Sequence, residues 1–324
     1  MSTKNIVPRA DGEGSLGTAA KRWGDVQSKK VTSEGEVSAG SVSSTGAISG
    51  ASADITGEVS AGSVSSTGAI SGASVVVGGK DVASILLVNN AGAHNGIFRG
   101  KYLGSSLTET QSAAIQAGTF DDLYIGDYWT INGVDYVIVA FDYYYNTGDT
   151  ACATHHAVVV PRNPLYNAQM NSTNVVTGAY VGSAMYTTNL NTAKTTIQSA
   201  FGSTHLLTIR QLFQNSVAEG GYENTVGEWY DATVWLMNEF NVYGGLVWKN
   251  AYAGTNWRGN YTIDNSQYPG FALDPTMIHT PSRNAYWLRD VASSHDFANV
   301  DGDGYCSNSY ASDSFGVRPA FCIK

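Results

Sequence analysis

Apolar residues fall along this chain in three patterns. In the first they recur every five or six positions among Ser, Gly, Ala and Thr: Val37, Val42 and Ile48, then Val59, Val64 and Ile70. The segment Gly35–Ser52 returns residue for residue as Gly57–Ser74, a shift of 22 positions. An exact internal repeat sets architecture before any local propensity does. Strands this short cannot bury an apolar side within one chain, whereas three chains wound together supply one short strand each per layer. The regular β-branched spacing argues against a flexible Gly/Ser linker. The expectation is an intertwined trimeric β shaft over residues 31–82, preceded by a cap or attachment segment, 1–30, and followed by a head, 83–324.

The second pattern fills the first part of the head and mixes periods of 3.6 and 2. Thr108 predicts an N-cap for a helix running through Ala117 and stopping at Gly118. Residues 123–129 alternate as a strand, Asn132-Gly133 is a strong hairpin signal, and residues 134–141 form the returning strand. Residues 156–161 read as a third strand. Leu190, Ala193, Ile197 and Ala200 stand at helical spacing and end at Gly202. A second helix is predicted over Glu228–Phe240, before Gly244-Gly245. Beyond it the chain reads as loop-rich, with Trp248, Trp257 and Trp287 as anchors. Few strands, two helices and long loops predict an α+β domain.

The third pattern is a polar run, Asp290–Phe315, framed by the apolar and Arg-containing stretches Tyr286–Asp290 and Gly316–Cys322. Both ends of such a run are held by a core. Trp287, Leu288, Arg318 and Phe321 are read as that frame, with Arg318 a buried, hydrogen-bonded structural residue.

Composition narrows the function classes. Charged residues are only 14%, while Gly numbers 36 and Tyr 19. The net charge is −9 with no basic run, so nucleic acid is not an expected partner. No apolar run reaches the length of a membrane span, so membrane insertion is not expected. The first twenty residues lack an apolar stretch, and no signal peptide is expected. Cys152, Cys306 and Cys322 form neither a disulfide scaffold nor a CxxC metal site.

Two resemblances enter here. Residues 8–26, with Ser15-Leu16-Gly17-Thr18 and Arg22-Trp23-Gly24, resemble a segment of phage tail-fibre proteins that precedes a repetitive shaft. The end of the chain, Tyr286–Asp290 and Gly316–Cys322, is similar to the C-type lectin fold of the formylglycine-generating-enzyme type. It more closely resembles the diversified receptor-binding proteins of diversity-generating retroelements, the family that includes the phage major tropism determinant. These resemblances imply an α+β C-type lectin-like head on the shaft. They also imply a virion tail fibre made in the host cytoplasm. Its partners would be other tail proteins at the N-terminus, two further copies of itself, and a host-cell surface receptor.

In that family, mutagenesis at adenines yields codons that exclude Lys, Glu, Gln, Met and Trp. Those five types make up 38 of 324 residues, which corresponds to about three in 26, and none occurs in Asp290–Phe315. The expected receptor-binding residues are Asp290, Ser293, Ser294, His295, Asp296, Phe297, Asn299, Asp301, Asp303, Tyr305, Ser307, Asn308, Tyr310, Ser312 and Asp313. Phe297, Tyr305, Tyr310 and Phe315 are read as aromatic anchors, because rigid amphipathic rings bind at low entropic cost.

Other chemistry fits less well. Asn299, Asp301, Asp303 and Gly304 match half of a calcium loop, but the twelfth position is Tyr310, not a bidentate acid. His155 and His156 are adjacent, so a strand would point them to opposite faces, and no acid stands beside them at ligand spacing. No metal or cofactor is therefore expected. There is no G-x-S-x-G, H-E-x-x-H or P-loop. Paired carboxylates for a tailspike depolymerase would have to come from Glu228, Asp231 or Glu239, which read as solvated or capping residues of the predicted helix. Formylglycine-generating chemistry would need Cys306 and Cys322 as a pair. The expectation is a binding protein, not an enzyme.

Overall fold

The computed structural model describes residue 20, residues 76–77 and 80–81, and residues 91–217, 227–248 and 266–324. The expected attachment segment and shaft lie outside the described residues, apart from Ala20 and two short strands. Those strands, β1 (Val76–Val77) and β2 (Lys80–Asp81), pair antiparallel. Residues Ile70–Lys324 form one compact unit.

In chain order there follow α1 (Ala91–His94), β3 (Tyr102–Gly104), α2 (Glu109–Gln116), β4 (Tyr128–Ile131), β5 (Val134–Phe141), β6 (Ala157–Pro161) and β7 (Tyr166–Gln169). A π-turn, Met185–Asn189, leads into α3 (Leu190–Phe201), then β8 (Leu206–Leu207), β9 (Ile209–Phe213), β10 (Glu228–Ala232), β11 (Val234–Leu236) and α4 (Glu239–Tyr243). Helix α5 (Pro269–Leu273) and a 3-10 turn, Pro275–Met277, precede β12 (Tyr286–Val291), β13 (Asp296–Val300), β14 (Cys306–Tyr310), β15 (Ser314–Val317) and β16 (Pro319–Ile323). The fold is α+β and dominated by sheets. No helix among the described residues is long and apolar enough to cross a membrane.

Two sheets carry the architecture. The larger runs β11-β16-β6-β5-β4-β3, with β8 also on β16; the second runs β14-β13-β12-β15-β7. Side chains from both belong to one apolar core, including Trp129, Trp235, Trp287, Tyr286 and Phe321. Strands β6, β12 and β16 are buried along their whole length, which is why β6 and β16 read as apolar runs rather than alternating ones.

Several local expectations match. Thr108 caps α2 in a capping box with Gln111. Asn132 and Gly133 both have positive φ, 51° and 78°, as a two-residue hairpin requires. Helix α3 ends at Gly202. The predicted helix over Glu228–Phe240 is corrected. Its Trp, Tyr and Val residues form β10, paired to β9 (Trp229 opposite Leu212), and β11, paired to β16 (Val234 opposite Phe321). A helix begins only at Glu239, where Asn238 supplies the cap and a capping box with Asn241. The predicted strand 123–129 is shorter as well. It starts at Tyr128, and the preceding turn wraps the buried Asp127 carboxylate, which accepts the Tyr124 and Lys101 amides.

Two glycines separate conformational strain from steric strain. A Cβ added at Gly133 meets open space, whereas at Gly118 (φ 68°) it would lie 2.7 Å from the His155 ring. Gly133→Ala is expected to cost about 1–2 kcal/mol, the strain of a left-handed φ. Gly118→Ala is expected to cost measurably more, in thermal melts of the two variants.

Candidate functional site

The polar run expected as a loop is instead mostly sheet. Strand β12 turns back as β13 through residues 292–295, and β13 turns back as β14 through residues 301–305. At the first turn Ser293 Oγ donates to Asp296 Oδ2 at 2.7 Å, and the His295 amide donates to Ser293 Oγ at 3.1 Å. The turn after β14 lies against it: the Ala311 amide donates to the His295 carbonyl at 2.9 Å, and Ser312 Oγ donates to Asn174 Oδ1 at 2.6 Å. At the opposite end, Asp301 Oδ1 accepts the amides of Asp303 and Tyr305, each at 2.9 Å, an Asx turn that shapes the tip. Asp303 reaches Arg283 at 3.3 Å.

The expected binding residues therefore divide into four groups. Ser293, Ser294, His295, Asp296, Tyr310, Ser312 and Asp313 gather at one end of the sheet. Asp301, Asp303 and Tyr305 stand at the other, separated by the length of β14, about 16 Å. Ser307 and Asn308 lie half-exposed between them on β14, which is the last strand of its sheet among the described residues. Tyr305 is 73% exposed and Tyr310 54%.

The fourth group is not presented at all. Phe297, expected as a surface anchor, is fully buried and stands opposite Val291 in the core. Asp290 is buried and accepts the Glu239 amide at 2.6 Å. Asn299 is buried, with Nδ2 donating to Ser309 Oγ at 3.0 Å. Covering both faces of β13 forces this, because alternation leaves no outward position on a strand buried on both sides. Phe315 is half-buried and packs edge-on to Trp287. The half-matched calcium residues do not converge. Asn299 turns toward Ser309, Asp301 toward its own turn and Asp303 toward Arg283. Among the described residues no three His, Cys, Asp or Glu side chains gather as metal ligands.

One exposed aromatic outside the polar run joins the tip. Glu239, read from the sequence as solvated or capping, is fully buried. Its carboxylate accepts the amides of Val247 and Trp248 at 2.6 and 2.9 Å. Trp248 Nε1 in turn donates to the Cys306 carbonyl at 3.0 Å, and Tyr243 Oη donates to the Gly304 carbonyl at 3.0 Å. Trp248 thus stands, 44% exposed, beside the hairpin tip that carries Tyr305. The Cys306 thiol sits against Glu239 at 3.7 Å. Burial first, then that carboxylate, pushes its pKa well above the usual thiol range, so it remains a thiol. Cys322 is buried on β16, and all three cysteines are free.

The histidine pair stands just before β6, and Asp142, thirteen and fourteen residues away in sequence, meets both: His155 Nδ1 lies 2.6 Å from Asp142 Oδ2, and the His156 amide donates to Asp142 Oδ1 at 2.9 Å. His155 is stacked on Tyr145, ring centroids 4.6 Å apart, so the cluster closes a turn.

A family described as a domain of unknown function, DUF6273, matches residues 180–324. That span runs from the approach to α3 through β16 and includes the whole polar run. No curated protein and no solved structure matches the chain at a significant level.

The burial pattern separates fold from surface within a few residues. Phe297→Ala is expected to lower stability by about 3–5 kcal/mol, while Tyr305→Ala and Tyr310→Ala stay within about 0.5 kcal/mol. Denaturant midpoints of the three variants check this.

Proposed function

We propose that this chain is a phage tail-fibre protein whose head binds a host-cell surface receptor. One observation carries the reading: polar and aromatic side chains stand exposed on short turns and an edge strand, while the strands behind them are locked in the core. Trp248 and Tyr305 lie at one tip, Ser307 and Asn308 along β14, and Tyr310 at the far end. Tyr and Trp provide large, stiff contact area, and Ser, Asn and Asp adapt their hydrogen bonds to different partners. Such a surface accepts substitution without loss of the frame, which is what a receptor site that must follow a changing host requires.

The finer parts of the reading are the C-type lectin-like class of the head, the trimeric repetitive shaft over residues 31–82 and the virion location. They rest on the motifs of the sequence. The two-sheet arrangement, with β16 an inner strand of one sheet and the polar run in the other, is compatible with that class. Trimerisation would multiply a weak contact at each head through avidity, so a newly altered tip could adhere before it is optimised.

The test is adsorption of phage, or of the purified protein, to host cells. Trp248→Ala combined with Tyr305→Ala is expected to reduce adsorption by about thirtyfold or more, since anchor truncations at interface centres cost about 2 kcal/mol or more. The melting profile should stay unchanged. Unaltered adsorption by the folded double variant would place the receptor site elsewhere. Shortening of a host surface glycan by the purified protein would replace binding with depolymerase activity.

A further inference from the structure

Away from the polar run lies a cleft of about 610 Å³, within the range of small-molecule sites. It is bounded by Phe98–Gly100, by Tyr128, Asp135, Val137 and Arg162 of the larger sheet and its edge, and by the segment from Asp274 to Pro281, with the buried Arg318 at its base.

The charges in the cleft are incompletely matched. Arg318 is fully buried in its fold, and its guanidinium donates to carbonyls: Nε to Pro161 at 2.9 Å, and Nη1 to Met277 and Ile278 at 3.0 and 3.2 Å. Among the described residues no carboxylate forms an ion pair with it. Burial, and last the charge of Arg162, push its pKa down, against Tyr286, which raises it. Arg162 Nε is buried and donates to no acceptor, because the nearest carboxylate, Asp135 Oδ2, is 3.7 Å away. A buried N–H without an acceptor is costly, and a guanidinium fork is suited to an oxyanion. Arg99, on the rim, is already occupied by Asp127 and Asp122.

The rest of the lining is suited to a sugar ring rather than a bare ion. Phe98 is 41% exposed and offers an apolar face at the lip. Asp274 Oδ1 is used by the amide and hydroxyl of Thr276, while its second oxygen accepts from no described residue and could take a ligand hydroxyl. Cations for an acid group, acceptors for hydroxyls and an aromatic wall in one cleft are the requirements of an acidic sugar.

We propose that this cleft binds an acidic saccharide, its carboxylate or phosphate held by Arg162 above Arg318. The site is distinct from the exposed tips, and its test does not depend on receptor binding there. The full chain is titrated by calorimetry with glucuronate, glucose 6-phosphate, glucose and inorganic phosphate. The acidic sugars are expected to bind about tenfold or more tightly than glucose, the share one charge-assisted hydrogen bond supplies, and the stronger of the two identifies the acid group. Arg162→Gln should bring them to the level of glucose. Asp135→Asn removes the carboxylate that competes for Arg162, so it should tighten them, an effect that mere structural damage would not produce. The proposal is overturned if acidic sugars and glucose bind alike or not at all. It is equally overturned if inorganic phosphate alone matches the acidic sugars, if folded Arg162→Gln binds unchanged, or if Asp135→Asn weakens them.

Discussion

The fold is organised around a charge that it has taken out of water. Arg318 lies between β15, in one sheet, and β16, in the other, at the point where the chain crosses between them. Its guanidinium ties the end of β6 to the 3-10 segment through three carbonyls. It also lies 4.9 Å from the Tyr286 ring and 5.6 Å from that of Phe271. Burying an ion costs several kcal/mol and is recovered only when its donors are satisfied and its surroundings are complementary. Carbonyl dipoles and aromatic faces do this here. The position of Arg318 fixes the crossing, and with it the register of β15 on β7 and of β16 on β6.

From that crossing the division of labour in the polar run follows. Strand β12 pairs with both β13 and β15, so Trp287 and its neighbours are held from two sides. Strand β13 is then covered on both faces, and residues of both, Phe297, Asn299 and Val300 among them, become core. Only the turns and β14 remain for contact with anything outside. Glu239 extends the same logic beyond the run, because its buried carboxylate positions the amides that bring Trp248 beside the Tyr305 tip. Chemistry at the surface is thus set by polar groups underneath it.

What could be read from the sequence follows the range of the interactions involved. The α2 cap at Thr108, the Asn132-Gly133 turn and the stop at Gly202 are written within a few residues, and each was legible. The frame motifs around Trp287 and Arg318 were legible too, as apolar residues next to an arginine. The helix expected over Glu228–Phe240 failed because its aromatic and β-branched residues answer to β9 and β16, partners outside the predicted helix. Asn238 held the true start. Phe297 was misread for a related reason: composition marks a run as polar but does not say which of its residues face a neighbouring strand. The link from Asp142 to His155 and His156, and that from Glu239 to Trp248, depend on tertiary approach, which spacing along the chain does not encode.

The central claim is that the frame and the contact surface are separable. The most direct measurement randomises two sets of positions in parallel and sorts each library for protease-resistant folding. One set is Tyr305, Ser307, Asn308 and Tyr310; the other is Asp290, Phe297, Asn299 and Arg318. The account predicts that most members of the first library fold and few of the second do. Equal survival in the two libraries, or collapse of the first, would contradict it.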